Sequence, residues 1–261
     1  MDNPYVRLTQ EFNDGRLRAI LASGQAVVLY RLAIMSKDGD WILREDAETL
    51  THVIATLARH GAHYRYGAPL DLRWLAHGWS SHLEFQESGL RLRCDFVTQP
   101  PRVSPAALAA LWEAPAQKEV PVVTLPILAD LKRTNREKDY AVIGELARKM
   151  EDKHLQALHS RSARDLMQLF AEHPAVVAEA SGGRPLLSRV GEGREVIERL
   201  LDEERRALMR SNEDRLDRYV AAAKRWGADW PRVSKELTGR PLAEAHEMMV
   251  ARATQLLPYE P

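Results

Sequence analysis

Two aspartates, Asp38 and Asp40, stand one residue apart in the segment SKDGDWIL, residues 36–43. If this segment is extended, side chains two apart point the same way. Two carboxylates held that close repel each other, and a cation between them lets a fold keep both ionised. Hard oxygen ligands of this kind suit Mg2+. A third carboxylate, Asp95, lies in the apolar stretch LRCDFV. An ionised Asp among apolar strand neighbours is costly unless it is paired or bound to metal. If its strand lies beside the first, the three carboxylates could hold one or two Mg2+ ions, which would orient a nucleotide's phosphates and activate an attacking hydroxyl. The plain alternative is that Asp-x-Asp marks only a turn and a helix cap.

A second group would serve phosphate. Ser23-Gly24 opens the apolar segment QAVVLYRLAIM. A hydroxyl and free backbone N–H groups at the start of a helix suit a phosphate. Lys132, Arg136 and Asp139 are spaced by four and three, which puts them on one face of a helix. A lysine there can neutralise a triphosphate as a point charge. The alternative is a solvated face with an Arg–Asp pair worth under about 1 kcal/mol. Cys94 alternates with Asp95 and is expected to face the core. His154 and His159, five apart, are poorly placed to share a metal on one helix face.

Around these groups the expected helices and strands alternate. Residues 16–22 read as a strand and 25–35 as a helix. Residues 40–44 read as a strand, and 46–61 as an amphipathic helix with an acidic start and a terminal glycine. HLEFQ (82–86) and LRLRCDFVT (90–98), with Glu-Ser-Gly between them, give a hairpin signal. TQPPRVSP (98–105) breaks regular structure, and a short helix follows over 106–114. VPVVTLP (120–126) reads as a buried strand, followed by a helix over 127–158. From there the pattern is almost all helical, with a long charged helix over 194–226. The expected fold is α/β (α+β): a small mixed β-sheet domain with flanking helices, residues 1–126, then a helical C-terminal domain, residues 127–261.

The 261-residue chain has no net formal charge, so attraction to nucleic acid is not written into its total. Its single cysteine cannot form an internal disulfide, which suits a reducing compartment. The opening MDNPYVRLTQEF lacks the pattern of a signal peptide, and no stretch has the roughly 18 apolar residues of a membrane span. A cytoplasmic protein is the expectation.

In order, the Ser-Gly turn, helix and Asp-x-Asp strand resemble the nucleotidyltransferase superfamily, the polymerase-β-like minimal transferases. The matching residues are Ser23-Gly24, then Ser36-Lys37-Asp38-Gly39-Asp40, then Asp95 on a later strand. The look is closest to the group related to abortive-infection and toxin–antitoxin nucleotidyltransferases. LPILADLKRTNREKDYAVIGEL (125–146) resembles a helix of that group, with Lys132, Arg136, Lys138 and Asp139 in place. Val142 stands where the group often has Asp, and Ser23 where glycine is usual. The resemblance spans residues 16–146. It implies transfer of an NMP from an NTP to a hydroxyl acceptor on RNA, protein or a small molecule. Asp38, Asp40 and Asp95 would be the Mg2+ ligands and catalytic carboxylates. Ser23, Gly24, Ser36, Lys132 and Arg136 would bind the nucleotide. The altered Ser-Gly motif and Val142 also allow a weak or inactive member, acting as a binding or toxin–antitoxin partner through its helical domain.

Overall fold

The computed structural model describes residues 3–113 and 120–261. The chain is mixed α/β. It folds as two compact units, Met1–Val123 with Asp217–Pro261, and Thr124–Leu216.

The first unit is built on a five-stranded sheet in the order β1-β2-β5-β4-β3. The strands are β1 (Ala19–Ala22), β2 (Asp38–Leu43), β3 (His63–Tyr64), β4 (Ser81–Glu87) and β5 (Leu90–Val97). Only the β2–β5 pair is parallel. Helix α1 (Pro4–Phe12) precedes β1, α2 (Ser23–Leu29) joins β1 to β2, and α3 (Ala47–Arg59) follows β2. One sheet face is apolar: Leu21, Trp41, Leu43, Leu83, Phe85, Leu92, Cys94 and Phe96 are buried in a common core with Leu8 and Phe12 of α1. Trp41 stacks on Phe96 with ring centroids 5.4 Å apart.

The hairpin is set by its turn. Ser88 and Gly89 have φ of +50° and +78°, the left-handed pair that a two-residue hairpin turn requires. That turn pairs Glu87 with Leu90 and fixes every later pair, including His82 with Asp95.

The elements differ from the sequence reading at several points. The helix read over 25–35 is the shorter α2, which ends at Leu29. Residues 120–126 form no strand; they make one isolated parallel bridge, Val122 to Leu21. The continuous helix read over 127–158 is three helices, Leu125–Leu131, Glu137–Arg148 and Lys153–His159. Its polar run KRTNR yields to turns in which Thr134 Oγ1 bonds the Asp139 carboxylate (2.6 Å) and takes the Arg136 N–H (3.0 Å). Such local bonds compete with the helix ladder. Helix α1 and strand β3 had no counterpart in the sequence reading. The last residue of the helix read over 106–114 lies outside the described residues; the rest is within Pro105–Glu113.

The division of the chain differs too. Residues 217–261 belong to the first unit rather than to a helical C-terminal domain. Trp226, Val233, Leu237, Leu242, Met249, Ala253 and Leu257 join the core of the sheet unit. Buried indole and phenol groups need hydrogen-bond partners, and here these cross between the two segments. Trp74 Nε1 donates to Leu257 O (3.2 Å), Trp79 Nε1 to Tyr259 O (2.9 Å) and Trp226 Nε1 to Gly67 O (2.9 Å).

The second unit is helical and has its own core, with Leu166, Val177, Leu187, Val190 and Ile197 buried together. Arg184 and Arg161 both pair with Glu204 there. Among the described residues no helix is long and apolar enough to cross a membrane.

Candidate functional site: a charged face of the sheet

The sheet face opposite the apolar core holds the charged groups: beside an apolar row of Ile20, Ile42 and Val97, strand register arranges two polar rows. One row runs Ala22, Asp40, Asp95, His82 across β1, β2, β5 and β4. The bond from Arg65 N to His82 O (2.9 Å) continues it to Arg65, just past β3. The other row runs Asp38, Arg93, Glu84, His63. The parallel pairing of β2 with β5 therefore places Asp95 directly opposite Asp40; the sequence reading had asked only that the two strands lie side by side.

Asp38 and Asp40 share this face because Gly39 and Trp41, between and after them, turn to the core. Gly39 is obligatory there: a Cβ would lie 2.4 Å from Trp41 Cη2 and 2.5 Å from Tyr5 Cδ1. Tyr5 Oη donates to Lys37 O (2.6 Å), and burial pushes its phenol up to about 12. Cys94 is buried on the opposite face and its thiol is pushed well up by burial, so it is no nucleophile.

The Ser-Gly turn is locked to the Asp-x-Asp strand. A Cβ on Gly24 would lie 2.2 Å from Ser36 Oγ. Gln25, buried at the start of α2, donates to Ser36 O (3.0 Å) and Asp38 O (3.4 Å). Ser36 Oγ in turn donates to Asp38 O (3.3 Å). Ser23 follows Ala22, which pairs with Asp40, and holds a strained φ of +48°. Ser23, Gly24, Ser36, Asp38, Asp40 and Asp95 are thus brought together.

The carboxylates have different surroundings. Asp38 Oδ1 is buried without a hydrogen bond, 3.5 Å from Arg93 Nη1. Asp95 Oδ1 accepts from His82 Nδ1 (2.7 Å) and Arg65 Nη1 (3.2 Å). Glu84 is ringed by Arg91 (2.8 Å), His63 (3.3 Å) and Arg65 (3.4 Å). Among the described residues no group of three or more His, Cys, Asp or Glu side chains is arranged to hold a metal ion. Asp95 is turned to His82 and Arg65, so a three-carboxylate site does not fit. Asp38 and Asp40 do fit a divalent ion: they are hard donors on one face, and one oxygen lacks a hydrogen-bond partner. Mg2+ is commonly held by one or two carboxylates, with substrate phosphates and water completing its shell.

Lys132 and Arg136 lie in the second unit and do not share one helix face. Lys132 caps the end of Leu125–Leu131, and Arg136 caps the start of Glu137–Arg148. They meet instead on buried Asp139: Lys132 Nζ is 3.6 Å from Oδ1 and Arg136 Nη2 is 2.9 Å from Oδ2. Lys132 is itself only 7% exposed, so its charge answers Asp139.

The sequence reading passed over His82, Glu84, Arg93, Arg65 and Ser80. The first three were within reach, because positions 82 and 84 of one strand and 91, 93 and 95 of the next alternate with the apolar set. Arg65 and Ser80 carry no local signal.

No family model and no curated protein matches the chain. Among solved structures it is similar to a protein described as a proposed nucleotidyltransferase from H. pylori. The identity is 12% and the TM-score 0.41, over 77% of this chain and 94% of that one. It is also similar to JHP933 from Helicobacter pylori, with 13% identity and a TM-score of 0.40, over 78% of this chain and 94% of that one. Likeness at this level assigns no residue a role, so the site rests on this chain's own side chains.

Proposed function

We propose that the chain is a nucleotidyltransferase that moves an NMP from an NTP to a hydroxyl acceptor with Mg2+. The observation that carries this reading is the register of Asp40 opposite Asp95, beside the unbonded, buried Oδ1 of Asp38. A buried carboxylate oxygen that accepts no hydrogen bond and has only a 3.5 Å approach from Arg93 calls for an explanation, and a metal ligand bond supplies one. Asp38 and Asp40 hold the ion, which offsets phosphate charge and orients the triphosphate. Ser23 and the Gly24 backbone take phosphate oxygens from the neighbouring turn. Arg93, beside Asp38, supplies the positive charge that the sequence reading sought from Lys132. Asp95 acts through His82, whose Nδ1 it holds, rather than as a third ligand.

The test is calorimetric titration of each of the four NTPs, with and without Mg2+, into the wild type and an Asp38→Ala/Asp40→Ala variant. Binding that needs both magnesium and the carboxylates is the expected result. Equal binding by a folded double variant, or none by the wild type, would overturn the reading.

A further inference from the structure

Ser80, His82 and Asp95 form a hydrogen-bonded chain that metal binding alone does not call for. Asp95 Oδ1 lies 2.7 Å from His82 Nδ1, and His82 Nε2 lies 2.9 Å from Ser80 Oγ. An ionised carboxylate only accepts, so Nδ1 carries the proton that Asp95 receives. That leaves the Nε2 lone pair to accept from the Ser80 hydroxyl. Hydroxyl, Nε2, Nδ1 and carboxylate in this order are the arrangement that activates a serine for attack.

Its setting favours a working group over a structural tie. Gly67 leaves room for the imidazole: a Cβ there would lie 2.5 Å from His82 Cδ2. Arg65 grips Asp95 at the same oxygen that His82 uses, which fixes the carboxylate. The side chains of His82 and Asp95 are 26% and 24% exposed, open enough for a substrate to reach. Asp40 and His82 sit in one row with Asp95 between them. Two strand spacings, about 10 Å, therefore separate their strands, a stretch of sheet face that a bound nucleotide's phosphates would cross.

We propose that Ser80 is itself an acceptor hydroxyl, taking a nucleoside monophosphate in cis with His82 as its base. This rests on the nucleotidyltransfer reading above. Ser80 Oγ attacks the α-phosphorus of the NTP and a new P–O bond forms. The bond from that phosphorus to the bridging oxygen breaks, and pyrophosphate leaves with the electron pair. The hydroxyl proton passes to His82 Nε2, and Asp95 stabilises the resulting imidazolium. The product is a phosphodiester between Ser80 and the nucleoside.

The experiment incubates the full chain with Mg2+ and each NTP labelled at the α-phosphate, then maps the label by peptide mass spectrometry. Label on the Ser80 peptide is expected, with none from NTP labelled at the γ-phosphate. Ser80→Ala abolishes it, and His82→Gln lowers its rate by about 100-fold, the usual worth of a general base. Label that persists in Ser80→Ala overturns the proposal. Mg2+-dependent nucleotide binding without label on Ser80 overturns self-transfer and leaves the nucleotidyltransfer reading standing. Absence of nucleotide binding overturns both. A fluorophosphonate probe checks the hydroxyl without nucleotide. Labelling of Ser80 that disappears in His82→Gln supports an activated serine, and no labelling by the wild type counts against it.

Discussion

Asp95 and Lys132 show how neighbours decide what a charged residue does. Asp95 answers His82 and Arg65, so it is not the isolated ion that its apolar neighbours suggested, and Lys132 answers Asp139 rather than a triphosphate. His159 makes the same point for pH. It is buried in the helical unit, with Arg133 Nη2 3.3 Å from Nδ1 and Asp130 Oδ1 3.8 Å away. Burial first, then the charges of Arg133, Arg161 and Arg184, push its pKa down to about 3. Unfolded, it titrates near 6.5. Between those values the unfolded chain binds a proton that the folded chain does not, so stability falls as pH drops from about 6.5 towards 3. Denaturant titrations at pH 7 and pH 5 are expected to show the wild type losing more stability than His159→Gln. Equal losses would remove His159 as the source.

At the scale of elements, the site depends on two tight junctions. The first is Gly24 against Ser36. Gly24→Ala adds a favourable helix residue yet forces a contact, and is expected to cost about 1–3 kcal/mol by denaturant melting. Ser36→Ala in the same chain removes the Oγ and recovers part of that loss. A neutral Gly24→Ala would mean that the turn and the Asp-x-Asp strand are not locked. The second junction is the Ser88-Gly89 turn, which sets the register of His82 on Asp95. Asn tolerates positive φ better than Ser. Ser88→Asn is therefore expected to raise the melting temperature slightly without altering nucleotide binding, and a lower melting temperature would argue against this turn geometry.

Across the whole molecule, the core of the sheet unit is drawn from both ends of the chain. Met249, fully buried, packs with Trp74, Leu57 and Leu83 in one cluster. Met249→Ala is expected to cost about 2–5 kcal/mol. The loss should appear as weaker protection of β4 and β5 amides in hydrogen exchange, about 150 residues away in sequence. Loss confined to the C-terminal helices would show that the two segments do not share a core.

Local pattern was enough to give the mixed α/β class, the hairpin, the inward Cys94 and the shared face of Asp38 and Asp40. Alternation and turn chemistry act over a few residues and so can be read directly from the chain. The adjacency of the Asp95 strand to the Asp-x-Asp strand was foreseen only as a condition, and its register not at all, because parallel pairing depends on a crossover and on which strand lies next. The turns at Lys132–Arg136 were hidden by an unbroken helical pattern that Thr134 and Asp139 override. The return of residues 217–261 and the joining of Ser80, Arg65 and His82 had no sequence signal. Amphipathic helices announce that they must bury a face but not against what, and hydrogen bonds between distant segments form only once packing has chosen the partners. Alternation alone told which way Asp38, Asp40 and Cys94 face; which charges neutralise one another, and which remain for a ligand, emerges only in the folded chain, because it depends on distances that no local pattern contains.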